Sequence, residues 1–416
     1  MSMDRRVSSL TAVVAALVMS FAVPSFAAQS GGEKEAVINK EVAKAITEAR
    51  KQVERRQWDA ALAALKTAER LPQKTNYAEY KIQQFKAYVL TQQRKHAQAA
   101  AIFAKLGASE QASTQERGQH LKTAAQLYLQ ETQYQQAAAA ANGALRLSPA
   151  DPQLLELAGQ SRYMAGDFKG AAAALEPLLS RTREQEKAPD EDWLQVLLNA
   201  YYKLGDEQKI ASTWEALLRY HPKQEYWRNV LARRTAQEHS EQLQLGYRRL
   251  MFDVGLLKDP EDYEELALSA IEAGAPEEAV RLLSSGLDNG VLTGADRARF
   301  ERMRAYARDE AEKSRVELAQ LSKDAERAST GQPSVELGRA YIGQQQYDRA
   351  IEALRRALSK GKLEDPGSAR VLLGIAYLKK QQPEEAREAF AAVDANSEWR
   401  DLAELWSLRA FAPDRS

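Results

Sequence analysis

The 416-residue chain contains no cysteine, so disulfides and thiolate metal sites contribute nothing to its fold. The same absence removes the lipid-attachment cysteine of a lipoprotein. Lysine plus arginine equals aspartate plus glutamate, at 58 each, and no basic block stands out. This balance argues against nucleic acid as a partner and against a polybasic membrane contact. Beyond the N-terminus, no segment is apolar enough to span a bilayer.

The N-terminus has the layout of a secretory signal peptide. Arg5 and Arg6 precede an apolar run over residues 7–23, and Pro24 then breaks the helix. The alternative is an uncleaved N-terminal anchor in the inner membrane. We rank it second because the run is at the short end of the roughly 17–25 residues that span a bilayer. We therefore expect a periplasmic protein with no membrane span after cleavage.

The cleavage site follows from small residues after the proline. Ser25 and Ala27 fit the −3 and −1 positions of an A-x-A-like site, which predicts cleavage after Ala27. Cleavage after Ala28 is the second choice, since it would place bulky Phe26 at −3.

One pattern recurs eight times along the chain. A turn is followed by an aromatic or substitute residue, by alanine about three positions later, and by a large apolar residue four beyond it. The copies are Trp58/Ala61/Leu65, His96/Ala99/Phe103, Tyr134/Ala137/Ala141, Phe168/Ala171/Leu175, Glu207/Ile210/Trp214, Glu277/Ala279 after Gly274, Tyr347/Ala350/Leu354 and Pro383/Ala386/Phe390. The key alanines recur at 34 (137 to 171), 36 (350 to 386) and 38 (61 to 99) residues. This period predicts helix hairpins with loops of variable length.

The first helix of several units carries its own marks. Gly159, Gly338 and Gly374 precede an aromatic residue and would let two helices approach closely, and Pro149 and Pro222 end second helices. Together these features resemble the tetratricopeptide repeat family, from about residue 38 to 394. The resemblance implies an all-α fold, a right-handed superhelical solenoid of about eight or nine helix hairpins with a C-terminal capping helix.

The pattern also suggests how the chain is divided. The predicted parts are a signal peptide (1–27), a flexible mature N-terminus (28–37), an N-terminal array (38–292) with an exposed charged loop at 181–192, a helical connector (293–330), a C-terminal repeat pair (331–394), and a capping helix and tail (395–416). Within the array, residues 226–257 form a degenerate hairpin. The connector is interpreted as a charged helical pair over 295–328. The cap, a helix from about Glu398 to Arg409, would cover the last repeat with Trp399, Leu402, Leu405 and Trp406.

No residue set in the sequence points to catalysis. The four histidines, His96, His120, His221 and His239, are scattered and none has metal-ligand spacing, so we interpret all four as structural. Acidic clusters such as Asp190 to Asp192 precede helices, where carboxylates favour the helix dipole. There is no phosphate-binding glycine loop and no G-x-S-x-G motif. We therefore predict no catalytic residue, metal or cofactor, and keep enzyme activity as a remote alternative.

The resemblance implies where a partner would bind. In such repeats the first helices line a concave groove, and the groove positions are rich in amides and tyrosines. Those residues are Gln84, Tyr88, Lys122, Gln126, Gln160, Tyr163, Gln195, Asn199, Tyr202, Lys203 and Arg339. Amides can pair with the backbone of an extended peptide, and tyrosine offers an apolar face with a polar tip. We expect proteins or peptides of the cell envelope as partners.

A narrower resemblance concerns the C-terminal half. Tyr226-Trp227 and the segments 253–257, 270–279 with 282–287, and 361–370 with 372–377 look like the periplasmic tetratricopeptide proteins found with some TonB–ExbB–ExbD energy-transduction systems. That resemblance implies an accessory scaffold with TonB, ExbB or ExbD as candidate partners. A scaffold in envelope biogenesis or polysaccharide export is the alternative.

Overall fold

The computed structural model describes residues 40–72 and 74–411, and the regular structure in these ranges is 20 α-helices and one short 3-10 helix, with no strand. The predicted all-α class is confirmed. The predicted signal peptide (1–27) and mature N-terminus (28–37) lie outside the described residues. The chain divides into two compact units, which we call the N-terminal unit (residues 1–213) and the C-terminal unit (residues 214–416).

The N-terminal unit is a series of packed helix pairs. Its helices are α1 (Lys40–Glu54), α2 (Trp58–Arg70), α3 (Asn76–Gln92), α4 (His96–Leu106), α5 (Thr114–Gln130), α6 (Tyr134–Leu147), α7 (Pro152–Met164), α8 (Phe168–Glu184), α9 (Glu191–Leu204) and the first half of α10 (Glu207–Tyr220). Helix α1 packs on α2, α3 on α4, α5 on α6 and α7 on α8, and each pair packs on the next. This arrangement fits the predicted solenoid of helix hairpins.

The recurring sequence pattern marks the start and the buried face of each second helix. Trp58, His96, Tyr134 and Phe168 are the first residues of α2, α4, α6 and α8. The pattern alanines have no exposed surface: Ala61, Ala99, Ala137, Ala171, Ala279, Ala350 and Ala386. Alanine is needed there because a larger side chain would hold the paired helices apart.

The glycines of the first helices allow the predicted close approach. A Cβ added to Gly159 would lie 2.5 Å from Leu175 Cγ on the paired helix, and one on Gly374 would lie 2.3 Å from Phe390 Cε1. Real Cβ atoms do not approach other atoms so closely. The prediction that these glycines bring two helices together is confirmed.

The turn inside each helix pair contains a residue with left-handed backbone conformation, and the type of this residue varies. The residue two positions before each second helix has positive φ; these residues are Arg56, Arg94, Thr132, Gly166, Gly205, Gly274, Gln345 and Gln381. Glycine adopts this conformation without strain, but five of the eight positions hold another residue. The left-handed turn is therefore imposed by the packing of the two helices.

The C-terminal unit contains the second half of α10 and ten further helices. They are α11 (Gln224–Thr235), α12 (Glu241–Asp253), α13 (Pro260–Glu272), α14 (Pro276–Asp288), α15 (Arg297–Arg327), α16 (Gln332–Gly343), α17 (Tyr347–Lys360), α18 (Pro366–Lys379), α19 (Pro383–Ala391) and α20 (Arg400–Phe411). Helix pairs form between α13 and α14, α16 and α17, and α18 and α19.

The connector differs from the prediction of a helical pair. Residues 297–327 form one continuous helix, α15, which packs on α14 at one end and on α16 at the other. The segment contains no glycine or proline and is rich in alanine, glutamate and arginine, all strong helix formers. Nothing in it terminates a helix, so the prediction of two helices is wrong.

The degenerate hairpin predicted over residues 226–257 corresponds to helices α11 and α12, which contact each other. Helix α12 also packs against the C-terminal helix α20, and a Cβ on Gly246 would lie 2.4 Å from Leu402 Cδ2. Asp253, at the end of α12, accepts hydrogen bonds from Lys379 Nζ and from Arg409 Nε, the latter at 2.7 Å. The last helix, α20, thus packs on α12, which lies near the beginning of the C-terminal unit in the sequence.

The predicted cap is confirmed as α20, which covers α18 and α19 with Trp399, Leu402, Leu405 and Trp406 buried. The Trp406 ring stacks on Phe390 at 6.5 Å between centroids.

The predicted loop at 181–192 is shorter than expected, because α8 continues to Glu184 and α9 begins at Glu191. Within the described ranges, no helix combines the length and apolarity that crossing a membrane requires.

Candidate protein-binding face

The first helices of the N-terminal unit lie side by side and form one continuous face. Helix α5 is joined to α3 by Tyr80 Oη, which lies 3.0 Å from His120 Nε2. It is joined to α7 by Lys122 Nζ, which donates to Gln153 Oε1. Helix α7 in turn packs on α9. We call the surface that α3, α5, α7 and α9 present together the first-helix face.

Ten of the eleven groove residues named from the sequence belong to this face, and each of them is at least partly exposed. They are Gln84 and Tyr88 on α3, Lys122 and Gln126 on α5, Gln160 and Tyr163 on α7, and Gln195, Asn199, Tyr202 and Lys203 on α9. The most open part is the end of α9, where Asn199, Tyr202 and Lys203 are all exposed and Tyr202 keeps 43% of its surface.

The three tyrosines of the face differ in how firmly they are held. The Tyr88 ring meets Trp58 edge to face at 6.5 Å between centroids, and the Tyr163 ring meets Phe168 in the same way at 5.6 Å. Both rings are half-buried, so Tyr163 also supports its own helix pair and Tyr88 supports the contact of α3 with the preceding pair. Burial raises the pKa of Tyr163 above its usual value. Tyr202 is the tyrosine best placed to contact a partner.

The amides of the face are partly fixed by hydrogen bonds along their helices. Asn199 Nδ2 donates to the carbonyl oxygen of Gln195 at 2.8 Å, and Gln195 Nε2 donates to Glu191 Oε1 at 3.2 Å. An amide side chain has two N–H groups and an oxygen with two lone pairs, so these bonds leave capacity for a ligand. The face can thus offer both donors and acceptors at fixed positions to a peptide backbone.

A buried polar cluster lies at the base of the face. His120 is 1% exposed, stacks on Phe103 at 5.8 Å, and its Nδ1 is buried with no hydrogen-bond partner among the described residues. Burial lowers its pKa to about 4, an effect that Glu116 opposes and Lys81 reinforces. His120 therefore stays neutral at physiological pH, in keeping with its interpretation as a structural residue.

Arg339 differs from the other ten residues. It belongs to the C-terminal unit, where its Nη1 donates to the carbonyl oxygen of Ala273 at 3.3 Å and its Nε is buried without a partner among the described residues. It lines a cavity of about 20 Å³ together with Arg249 and Leu372. Helices α12 and α18 pack around α16 there and leave Arg339 only partly exposed, and because it lies in the other unit we leave it out of the first-helix face.

The interior around Arg339 is held by a bidentate ion pair. Arg249 Nε and Nη2 donate to the two carboxylate oxygens of Glu278 at 2.9 and 2.6 Å. Burial alone would raise the pKa of Glu278, but the nearby arginines, Arg249 foremost, hold it below its usual range. This buried pair takes up space that a groove would need.

Sequence reasoning missed two exposed apolar residues at the ends of first helices. Met164 ends α7 and keeps 36% of its surface, and Leu204 ends α9 and keeps 46%. Their position in the repeat, immediately before the turn, could have identified them from the sequence. Both leave an exposed apolar side chain at the C-terminal end of a first helix.

Residues 122–189 and 335–398 match the family model described as tetratricopeptide repeat. These ranges cover the pairs α5–α6 and α7–α8 in one unit and α16–α17 and α18–α19 in the other. The chain therefore contains tetratricopeptide repeats in these two regions. Such repeats are typically non-catalytic scaffolds for protein–protein interaction.

Many solved structures are similar to the chain, and two of them serve as examples. One is a tetratricopeptide repeat protein from Parabacteroides merdae, with 12% identity over 89% of this chain and 99% of that one and a TM-score of 0.29. The other is the TPR2AB domain of yeast Sti1 in a complex with pHSP90, with 17% identity over 70% of this chain and 97% of that one and a TM-score of 0.22. A comparison with curated proteins gives no match.

Proposed function

We propose that this tetratricopeptide repeat protein is an exported scaffold of the bacterial cell envelope that binds an extended segment of a partner protein along the first-helix face of its N-terminal unit. The observation that carries the proposal is the placement of ten amide, tyrosine and lysine residues on four consecutive first helices, all at least partly exposed. A partner segment lying across these helices would meet one helix after another.

The chemistry of the face suits a peptide in extended conformation. Such a peptide presents unpaired N–H and C=O groups along its length, and the face offers amides that can pair with both. Tyr202 adds a rigid apolar surface with a hydroxyl at its tip, the type of residue that often dominates binding energy at interfaces. This combination of amides and tyrosine favours recognition of a peptide backbone over recognition of side chains that carry one sign of charge.

The envelope location rests on the N-terminal sequence. Arg5 and Arg6, the apolar run over 7–23 and the small residues at 25 and 27 are typical of a cleaved signal peptide. Mature protein should begin at Ala28 and fractionate with the periplasm. N-terminal sequencing that returned Met1 or Ser2 from a membrane pellet would favour an inner-membrane anchor instead.

The partner system that we favour is TonB–ExbB–ExbD, because segments 253–257, 270–287 and 361–377 resemble periplasmic repeat proteins associated with it. A deletion strain should then grow poorly when iron must enter as a large chelate, and crosslinking should recover TonB, ExbB or ExbD. Normal chelate uptake, with crosslinks only to polysaccharide-export or outer-membrane assembly proteins, would reject this system and support a scaffold in envelope biogenesis.

The binding face is tested with paired variants of tagged protein captured from envelopes after mild crosslinking. The double variant Asn199→Ala with Tyr202→Ala removes the most exposed part of the face. The control, Gln136→Ala with Lys169→Ala, changes exposed residues on the second helices α6 and α8. We expect the first variant to lose about 2 kcal/mol of partner affinity, as is typical for an aromatic anchor, with unchanged helicity. Equal capture by both variants would contradict this face.

A further inference from the structure

The C-terminal unit contains an open polar cleft that lies apart from the first-helix face. It measures about 640 Å³ and is bounded by α14, by the middle of α15 and by the turn between α16 and α17. This volume is in the range of pockets that hold small molecules or single peptide segments. Unlike most such pockets, it has few apolar walls, chiefly Val280 and Ala311.

Arginines dominate the charge of the cleft. Arg308 and Arg315 line it from positions two turns apart on α15, and Arg281 lines it from α14. Arg308 is exposed and has no ion-pair partner among the described residues. Arg315 pairs only with Glu312 on its own helix, at 3.2 Å, and both side chains are well exposed. Such a surface pair stabilises a protein little, so Arg315 can exchange it for a ligand carboxylate.

The opposite wall is a chain of ordered amides. Arg349 Nη1 donates to Gln346 Oε1 at 2.9 Å, Gln346 Nε2 donates to Gln344 Oε1 at 2.8 Å, and Gln344 Nε2 donates to Glu277 Oε1 at 3.1 Å. Each glutamine uses one N–H in this chain and has a second one to offer. Arg281 Nη1 donates to the carbonyl oxygen of Gly343 and so holds the turn against α14.

The cleft therefore presents more donors than acceptors. Glu277 is only 6% exposed and one of its oxygens already accepts from Gln344, so it contributes little acceptor surface. Glu312 also lines the cleft, where it is paired with Arg315. The other exposed groups are two guanidinium groups on one side and two amide N–H groups on the other. A ligand that fills the cleft must supply many acceptors and a negative charge.

We propose that this cleft is a second binding site, for an acidic peptide segment whose glutamate or aspartate carboxylates pair with Arg308 and Arg315 while its backbone carbonyls accept from Gln344 and Gln346. A peptide fits better than a compact inorganic anion because the donors are spread over two facing walls of a large cleft. The site is separate from the proposed first-helix face and does not depend on it.

Isothermal titration calorimetry of the full chain with an unlabelled hexaglutamate peptide tests the proposal, with hexaglutamine as the neutral counterpart. The variant Arg308→Ala with Arg315→Ala should weaken hexaglutamate binding by about tenfold or more, as expected for two lost charge-assisted contacts. The control, Arg302→Ala with Lys323→Ala, removes the same charge from exposed positions of α15 outside the cleft and should change binding less than about twofold. Melting temperatures confirm that both variants remain folded.

Several results would overturn the site. Wild-type protein that binds hexaglutamate no better than hexaglutamine would exclude it. Equal weakening by the two double variants would mean that the peptide responds only to the net charge of α15. Full displacement of the peptide by inorganic phosphate at matched ionic strength would mean that the cleft holds a simple anion and not a peptide.

Discussion

The stability of the N-terminal unit should depend on pH through one buried histidine. His120 is enclosed between Tyr80 and Phe103, and burial lowers its pKa from 6.5 to about 4. In the unfolded chain, water surrounds the imidazole and it binds a proton below about pH 6.5. The folded state resists this proton until about pH 4, so acid favours the unfolded state between these two values.

The magnitude follows from the two pKa values. Above pH 6.5 both states hold His120 neutral and it contributes no pH dependence. Near pH 5 the unfolded state is almost fully protonated and the folded state almost not, so the free energy of unfolding should fall by about 2 kcal/mol relative to about pH 7.5. Burial is the larger cause, and the charges of Glu116 and Lys81 act in opposite directions.

Urea unfolding of the full chain at about pH 7.5 and about pH 5, followed by far-UV circular dichroism, measures this effect. His120→Gln removes the titrating group and keeps an amide near the Tyr80 hydroxyl, so its acid-induced loss should be about 2 kcal/mol smaller than that of the wild type. His96→Gln is the matched control on α4. The reasoning is refuted if His120→Gln and wild type lose the same stability on acidification.

Four further substitutions test the packing. Gly374→Ala should lower the free energy of unfolding by about 1–3 kcal/mol, because the new methyl group meets the Phe390 ring. Gly118→Ala, whose new methyl group has no atom within 4 Å, should raise the free energy of unfolding by about 0.5–1 kcal/mol. Urea midpoints that shift in the same direction for both variants would contradict this. Thr132→Gly should raise stability by roughly 0.5–1 kcal/mol, since a β-branched residue is strained at a φ of 57°. A lower midpoint would mean that the turn is unstrained. Trp406→Ala should cost about 3–5 kcal/mol as the cap loses a buried ring, and an unchanged midpoint would show that α20 does not dock.

The repeat pattern predicted much of the fold because it encodes local packing. Ala171 and Gly159 permit one helix pair to close, and a sequence can specify such a contact within about one repeat. The left-handed residue of each turn was not predicted, since positions such as Arg94 and Gln345 carry no glycine to mark it.

The remaining differences arise from contacts between distant residues. Nothing near Gly246 indicates that Leu402 will pack on it, because the two lie far apart in the chain. The same closure of the C-terminal unit partly buries Arg339, which its position in the repeat had placed in a groove. The cleft beside α15 also escaped prediction, because it forms between the long helix α15 and the turn from α16 to α17, and no repeat pattern places these two together.

Site-specific photo-crosslinking in living cells tests the central claim, that a partner lies on the first-helix face. A photo-reactive amino acid at the position of Tyr202, on α9, should yield a discrete adduct with an envelope protein. The same amino acid at the position of Gln136, an exposed residue of the second helix α6, should yield none. An adduct of equal strength from position 136, or one formed only there, would contradict the account.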